Sequence, residues 1–201
     1  MSYLHGNPAT ALLQHVWVDV KGLLLDKHVL EFRYFVLFID EKSRYMTVYP
    51  LLEKADAFSA YKFFEARVER LTNSRIINLH LDMGGEWMSN EIRAHCRNRG
   101  IKLLFTAGYA ASMNSTSERT IRSVIEHASS LLRAAYLPVG FWVCAVKTSV
   151  YLLNRSSHSA LEDMMTPYEA WYGRMPNIGH LRILGGRAAV HVPDILRDKT
   201  L

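Results

Sequence analysis

Three carboxylates with unusual settings give this chain its chemical interest: Asp19, Asp82 and Glu118. Asp19 sits inside the apolar alternation His15-Val16-Trp17-Val18-Asp19-Val20-Lys21-Gly22. Asp82 ends a second such run and meets a tight turn, Asp82-Met83-Gly84-Gly85. Glu118 heads a long helical pattern, with 35 residues between it and Asp82. A charged carboxylate on the polar side of a buried strand is costly unless it is paired or bound to a cation. Hard divalent cations prefer such oxygens. Two of them about 3.5–4 Å apart can activate an attacking hydroxyl and stabilise the leaving oxygen in phosphoryl transfer. Crowded carboxylates also repel, so at least one should resist ionising without metal. The expectation is that Asp19, Asp82 and Glu118 meet as catalytic residues and metal ligands.

Ordinary structural readings stay open for two of them. Asp82 before Gly84-Gly85 suits a turn in which the side chain bonds its own backbone. Ser115 to Glu118 suits a capping box at a helix start. Asp19 has no comparable excuse. Asp40 reads as a hairpin-turn aspartate, Glu86 and Glu91 as surface groups, and Trp17 and Trp87 as core or rim aromatics.

The elements that must position the triad follow from periodicity. Strands are predicted at 15–22, 33–40 and 45–51, the last two as a hairpin around Glu41-Lys42-Ser43-Arg44. An amphipathic helix follows at 55–71, with Phe58, Ala60 or Phe64, Tyr61 and Val68 as its stripe. A fourth strand is read at 75–82, with Ile77, Leu79 and Leu81 on one face. Next come a helix at 90–98 closed by Gly100, a strand at 101–105, a loop at 106–116, and helices at 117–136 and 141–153. Beyond that the tail is read as turns at Pro167, Gly173, Pro176 and Gly185-Gly186. Glu118 heads the stripe Ile121, Ile125, Ala128 and Leu132. Three strands followed by strand–helix alternation imply an α/β domain: a five-stranded mixed sheet flanked by helices, in ribonuclease-H-like order. The expected organisation is a loose lead-in at 1–11, a core at 12–156 and a C-terminal extension at 157–201.

Composition agrees with one ordinary domain: 201 residues, 49% hydrophobic and 21% charged. No stretch approaches the roughly 18 apolar residues of a membrane span, and the first residues do not read as a signal peptide. Cys96 and Cys144 are too few for a zinc knuckle and fit a reducing compartment. The net charge of +5 lies in the second half. Residues 1–92 carry 10 basic and 12 acidic side chains, residues 93–201 carry 14 and 7. That excess suits a polyanion partner. Arg119 and Arg122 beside Glu118 are candidates for phosphate contacts, and Asn114 for contact with a DNA end; a solvated helix face is the plain alternative for the arginines.

Several blocks beyond the triad carry a family resemblance. They are Tyr34-Phe35-Val36-Leu37-Phe38-Ile39-Asp40 with Ser43-Arg44, Asp82 with Gly84-Gly85-Glu86, and Glu118-Arg119 with Arg122. Phe141-Trp142, Tyr151-Leu152-Leu153-Asn154-Arg155, Thr166-Pro167-Tyr168-Glu169 and Trp171-Tyr172-Gly173 continue the match. The chain resembles the integrase catalytic core of copia-type long-terminal-repeat retrotransposons, over residues 12–193. The resemblance implies a ribonuclease-H-like fold and Mg²⁺ or Mn²⁺ held by Asp19, Asp82 and Glu118. It also implies two reactions, trimming of the 3′ end of element DNA and joining of that end to target DNA. DNA partners, a homodimer and a nuclear location are implied with it. Met83, Trp17, Ala111, Ser115, Ile121 and Gly186 stand where the family usually has asparagine, histidine, proline, glycine, asparagine and cysteine. Neither the amino-terminal His/Cys zinc module nor a carboxy-terminal DNA-binding module is seen, so a core alone is expected. An alternative function stays open: a catalytically decayed remnant that binds nucleic acid or associates with itself.

Overall fold

Apolar alternation becomes a sheet covered on both faces. The computed structural model describes residues 8–22, 31–82, 84–105 and 111–187, and the side chains of 111–117 lie outside the description. Five strands, β1 (His15–Gly22), β2 (Tyr34–Asp40), β3 (Met46–Leu51), β4 (Asn78–Leu81) and β5 (Lys102–Phe105), lie in the order β3-β2-β1-β4-β5. β1, β2 and β3 form an antiparallel meander, while β4 and β5 run parallel to β1. The sheet is therefore mixed, as the element order implied.

Helices α1 (Ala57–Thr72), α2 (Asn90–Arg99), α3 (Ala111–Ala134), α4 (Trp142–Leu153) and α5 (Pro167–Tyr172) complete the fold. On one face, Val16, Val18, Val20, Val36, Phe38, Leu79 and Leu81 pack with Phe58, Tyr61, Phe64 and Val68 of α1, Ile92 and Cys96 of α2, and Trp171 of α5. On the other, Phe35, Leu37 and Ile39 pack with Ile121, Val124, Ala128 and Leu132 of α3 and with Trp142, Val146 and Val150 of α4. Each such large side chain stabilises the fold by roughly 1.5–3 kcal/mol through removal from water. The polar-face residues of β1 belong to this second, α3–α4 side, with Trp17 packed at its margin.

Several expectations need correction. α3 begins at Ala111, six residues before the expected 117, so Asn114 lies in the helix and not in a preceding loop. Ser115 is thus interior and no capping box starts there. The helix stops at Ala134, and Tyr136 turns left-handed at φ 52°. β4 starts at Asn78; Ile76 is buried and Ile77 is exposed, the reverse of a strand begun at 75. Residues 167–172 are a helix, not a turn. Thr166 and Glu169 cap it reciprocally, Pro167 starts it, and Gly173 ends it at φ 67°. Parts of four expected features lie outside the described residues: 1–7 of the lead-in, 23–30 of the β1–β2 connection, 106–110 of the loop, and 188–201 of the tail. Met83 also lies outside them.

Two polar devices lock the meander to its surroundings. Asp40, 2% exposed, accepts from the Leu13 N–H (2.8 Å), the Ser43 N–H (2.8 Å) and the Ser43 hydroxyl (2.6 Å). It is the hairpin aspartate, as expected. Buried Asn154 at the end of α4 accepts from the Met46 N–H (2.9 Å) and donates to its carbonyl (2.8 Å), satisfying edge strand β3.

Candidate active site

β1 and β4 are adjacent and parallel, with Val16 beside Leu79 and Trp17 beside His80. Two further steps of that register bring Asp19 level with Asp82, which directly follows β4. Side chains alternate along a strand, so Asp19 shares the face of Trp17 and Asp82 that of His80. The stack of Trp17 on His80, 4.0 Å between centroids and 18° between planes, shows this to be one common face. α3 covers it.

Asp19 is buried at 8% exposure. Burial is the main reason its carboxyl is pushed up from the ordinary 3.8 to about 6; Lys21 opposes the shift, and Asp82 and Glu118 both add to it. Asp19 therefore feels both other carboxylates of the triad. Asp82 is half-buried, and its Oδ1 accepts the Gly84 N–H at 3.1 Å. The turn reading is thus also true of Asp82, and one carboxylate oxygen remains for other partners. Glu118 is exposed and is the eighth residue of α3 rather than its head, one turn before buried Ile121. It heads the apolar stripe without being buried by it, and a carboxylate held in water at the rim needs no compensating partner.

Arg119 and Arg122 follow Glu118 on α3 with exposed side chains. Asn114 lies four residues before Glu118 in the same helix, and its side chain is outside the described residues.

Sequence reasoning missed Lys21. Its ammonium is 3.6 Å from Asp19 Oδ2, and its side chain is 42% exposed. The signal was present, since Lys21 is two residues from Asp19 and so on the same face. It also missed a neighbouring group, His15, Glu41 and His80, whose ligand atoms all lie within 4.8 Å of one another. The donor set of the triad can be judged by its chemistry. Three hard carboxylates, one buried and unwilling to ionise, suit a hard divalent cation.

No protein-family model matches the chain. It is 37% identical over 188 residues to the retrovirus-related Pol polyprotein from transposon TNT 1-94 of Nicotiana tabacum, covering 94% of this chain and 14% of that protein. The Pol polyproteins from transposons RE2 and RE1 of Arabidopsis thaliana are 31% and 29% identical, over 86% and 88% of this chain and 12% of each of them. The chain thus spans about one seventh or less of these relatives.

Among solved structures, a chain of the simian T-cell lymphotropic virus intasome in complex with PP2A regulatory subunit B56 gamma superposes with TM-score 0.67 at 13% identity. That match covers 92% of this chain and 68% of that one. The HTLV-2 integrase catalytic core domain in complex with magnesium, in its trimeric form, gives TM-score 0.58 at 17% identity, over 79% and 95%. Its dimeric form gives 0.58 at 17%, over 81% and 98%. At such identities these likenesses speak for the fold. Together the comparisons place the chain with the retrovirus-related Pol polyproteins of copia-type plant transposons, as a segment with the ribonuclease-H-like fold of a retroviral integrase catalytic core.

Proposed function

We propose that this segment is a metal-dependent polynucleotidyl transferase core that processes 3′ ends of element DNA and joins them to target DNA. The observation that carries the proposal is that Asp19 of β1 lies beside the parallel strand β4, which leads into Asp82, with the Asp19 carboxyl held high chiefly by burial and in part by Asp82 and Glu118. In this reading Asp19 and Asp82 hold one Mg²⁺ or Mn²⁺, and Asp19 and Glu118 hold a second. Such a pair of cations supplies nucleophile activation and charge neutralisation in an in-line displacement. The protein's own residues do the positioning. Buried Asp19 fixes the shared ligand, Asp82 is oriented by the Gly84 N–H, and Glu118 at the rim closes the cage from α3. Arg119 and Arg122, exposed one residue and four residues after Glu118, draw the phosphate backbone towards the carboxylates, and Asn114 meets the DNA end.

The same reading takes residues 12–156 as the catalytic unit, 157–201 as its extension and 1–11 as a lead-in. It expects DNA as partner, a homodimer as the working unit and the nucleus as the place of action. The HTLV-2 core, solved in dimeric and trimeric forms with magnesium, supports the metal and the self-association by likeness of fold. Among the described residues no helix is long and apolar enough to cross a membrane.

Lys21 favours a second reading. Its ammonium offers Asp19 one positive charge where a cation would otherwise bind, which suits a catalytically silent protein that binds nucleic acid or associates with itself. A joining assay on a branched DNA substrate with Mn²⁺ separates the two. The transferase reading expects metal-dependent turnover that falls at least 100-fold in Glu118→Gln. Salt-sensitive DNA binding without turnover supports the second reading, and an unchanged rate in Glu118→Gln overturns the assignment.

A further inference from the structure

The second cluster lies on the same sheet face as the carboxylates, at the other end of β1. His15 opens β1, four residues before Asp19 and so about 13 Å from it along the strand. His80 lies on β4, stacked on Trp17. Glu41 directly follows β2, and its N–H donates to the His15 carbonyl at 3.0 Å, which sets the two residues side by side. His15 Nδ1 is 2.7 Å from His80 Nε2 and 3.9 Å from Glu41 Oε2.

These groups satisfy one another poorly. The two rings share one hydrogen bond, and the glutamate oxygen is too far from His15 for another. His80 is 5% exposed, and among the described residues its Nδ1 is buried with no hydrogen-bond partner. The nitrogen that His80 turns towards His15 is Nε2, so a ligand held between the two rings and the glutamate would be bound through that atom. We propose that His15, Glu41 and His80 form a second metal centre, of the zinc class, that pins the start of β1 to β4 and to the end of β2.

The chemistry fits. Two imidazoles and a carboxylate are a three-ligand set for Zn²⁺, whose fourth position is then open to water. Zinc bonds of about 2.0–2.2 Å in a tetrahedral cage separate ligand atoms by about 3.3 Å. The ring nitrogens would open by about 0.6 Å and the glutamate oxygen would close by a similar amount, both within reach of small side-chain rotations. Imidazole ligands select Zn²⁺ over Mg²⁺, so this centre is chemically distinct from the carboxylates. Its effect is structural, because β1 carries Asp19 and β4 leads directly into Asp82.

Co²⁺, a coloured stand-in for Zn²⁺, tests this on the full chain. The expected result is one equivalent bound with visible absorption of a four-coordinate site, displaced by one equivalent of Zn²⁺ and indifferent to millimolar Mg²⁺. The near-ultraviolet band of a cobalt–thiolate bond should be absent, since neither Cys96 nor Cys144 takes part. Binding should survive the combined change Asp19→Asn, Asp82→Asn and Glu118→Gln. It should weaken at least tenfold in His15→Ala and in Glu41→Gln, with circular dichroism verifying the fold. Glu41 is only partly buried and its replacement is nearly isosteric, so that variant decides if His15→Ala does not fold. Absence of a stoichiometric coloured site, persistence of colour in Glu41→Gln, or its loss in the acidic triple variant would each overturn the inference. The triple variant also keeps this result separate from the fate of the transferase proposal.

Discussion

Asp19→Asn should stabilise the metal-free protein at neutral pH, although it removes the central ligand of the proposed site. The Asp19 carboxyl is raised from 3.8 to about 6 by burial and by Asp82 and Glu118, net of the opposing Lys21. The folded state therefore binds this proton more tightly than the unfolded chain does. Stability from that proton is fully present below pH 3.8 and is lost as pH rises through about 6. A shift of about two units at about 1.36 kcal/mol each makes the loss about 3 kcal/mol at pH 7.5. The Asp19 side chain is only 11% exposed, so solvent screening removes little of it. Asparagine mimics the neutral form at every pH. For a chain of this length, about 2–4 °C per kcal/mol converts the difference to a gain of about 6–12 °C in Tm.

Thermal melts in chelator, from pH 4 to pH 8, read this directly. The two proteins should nearly coincide at pH 4 and diverge through pH 6, with the variant ahead. Other titrating groups are common to both and cancel. Millimolar Mg²⁺ should raise the wild type and leave the variant in place, narrowing the gap. A variant no more stable than the wild type at pH 7.5 in chelator would refute the reasoning.

Two other substitutions probe different links. Asn154→Ala strands the Met46 N–H and carbonyl in a buried setting, and should cost about 2–6 kcal/mol at about 1–3 kcal/mol for each unsatisfied group. Chemical denaturation reads that loss, and a loss under 0.5 kcal/mol would show that β3 finds other partners. Arg122→Ala should weaken DNA binding evenly across sequences and lower the slope of log K against log salt by about 1, as one lost phosphate contact does. An unchanged slope would return Arg122 to an ordinary solvated face.

The sequence exposed those parts of the molecule that depend on local period. Val16, Val18 and Val20 mark one face of β1 because a sheet buries alternate residues, and the same rule put Asp19 on the other. That β1 and β4 are neighbours, and in which register, is supplied by the sheet and not by local period. α1 was legible through Phe58, Tyr61, Phe64 and Val68, all buried. The first turns of α3 were not, because Ser112, Asn114, Ser115 and Thr116 favour turns and caps as readily as helix. α5 was overlooked despite Thr166, Pro167 and Glu169, since six residues are too few to show a helical period. The His15, Glu41 and His80 cluster was invisible for a different reason. Residues 65 positions apart in His15 and His80 meet only through strand pairing, and each alone is an unremarkable polar-face residue.

The central claim is that Asp19, Asp82 and Glu118 converge on divalent cations. Crystals of the chain soaked in Mn²⁺, with diffraction measured at the manganese edge, locate the ion by its anomalous signal. The expected peak lies within about 2.0–2.4 Å of oxygens from both Asp19 and Asp82, with Glu118 turned towards a second position. A peak held by other residues alone, or Asp19 still joined to Lys21 with no manganese at saturating concentration, would contradict it.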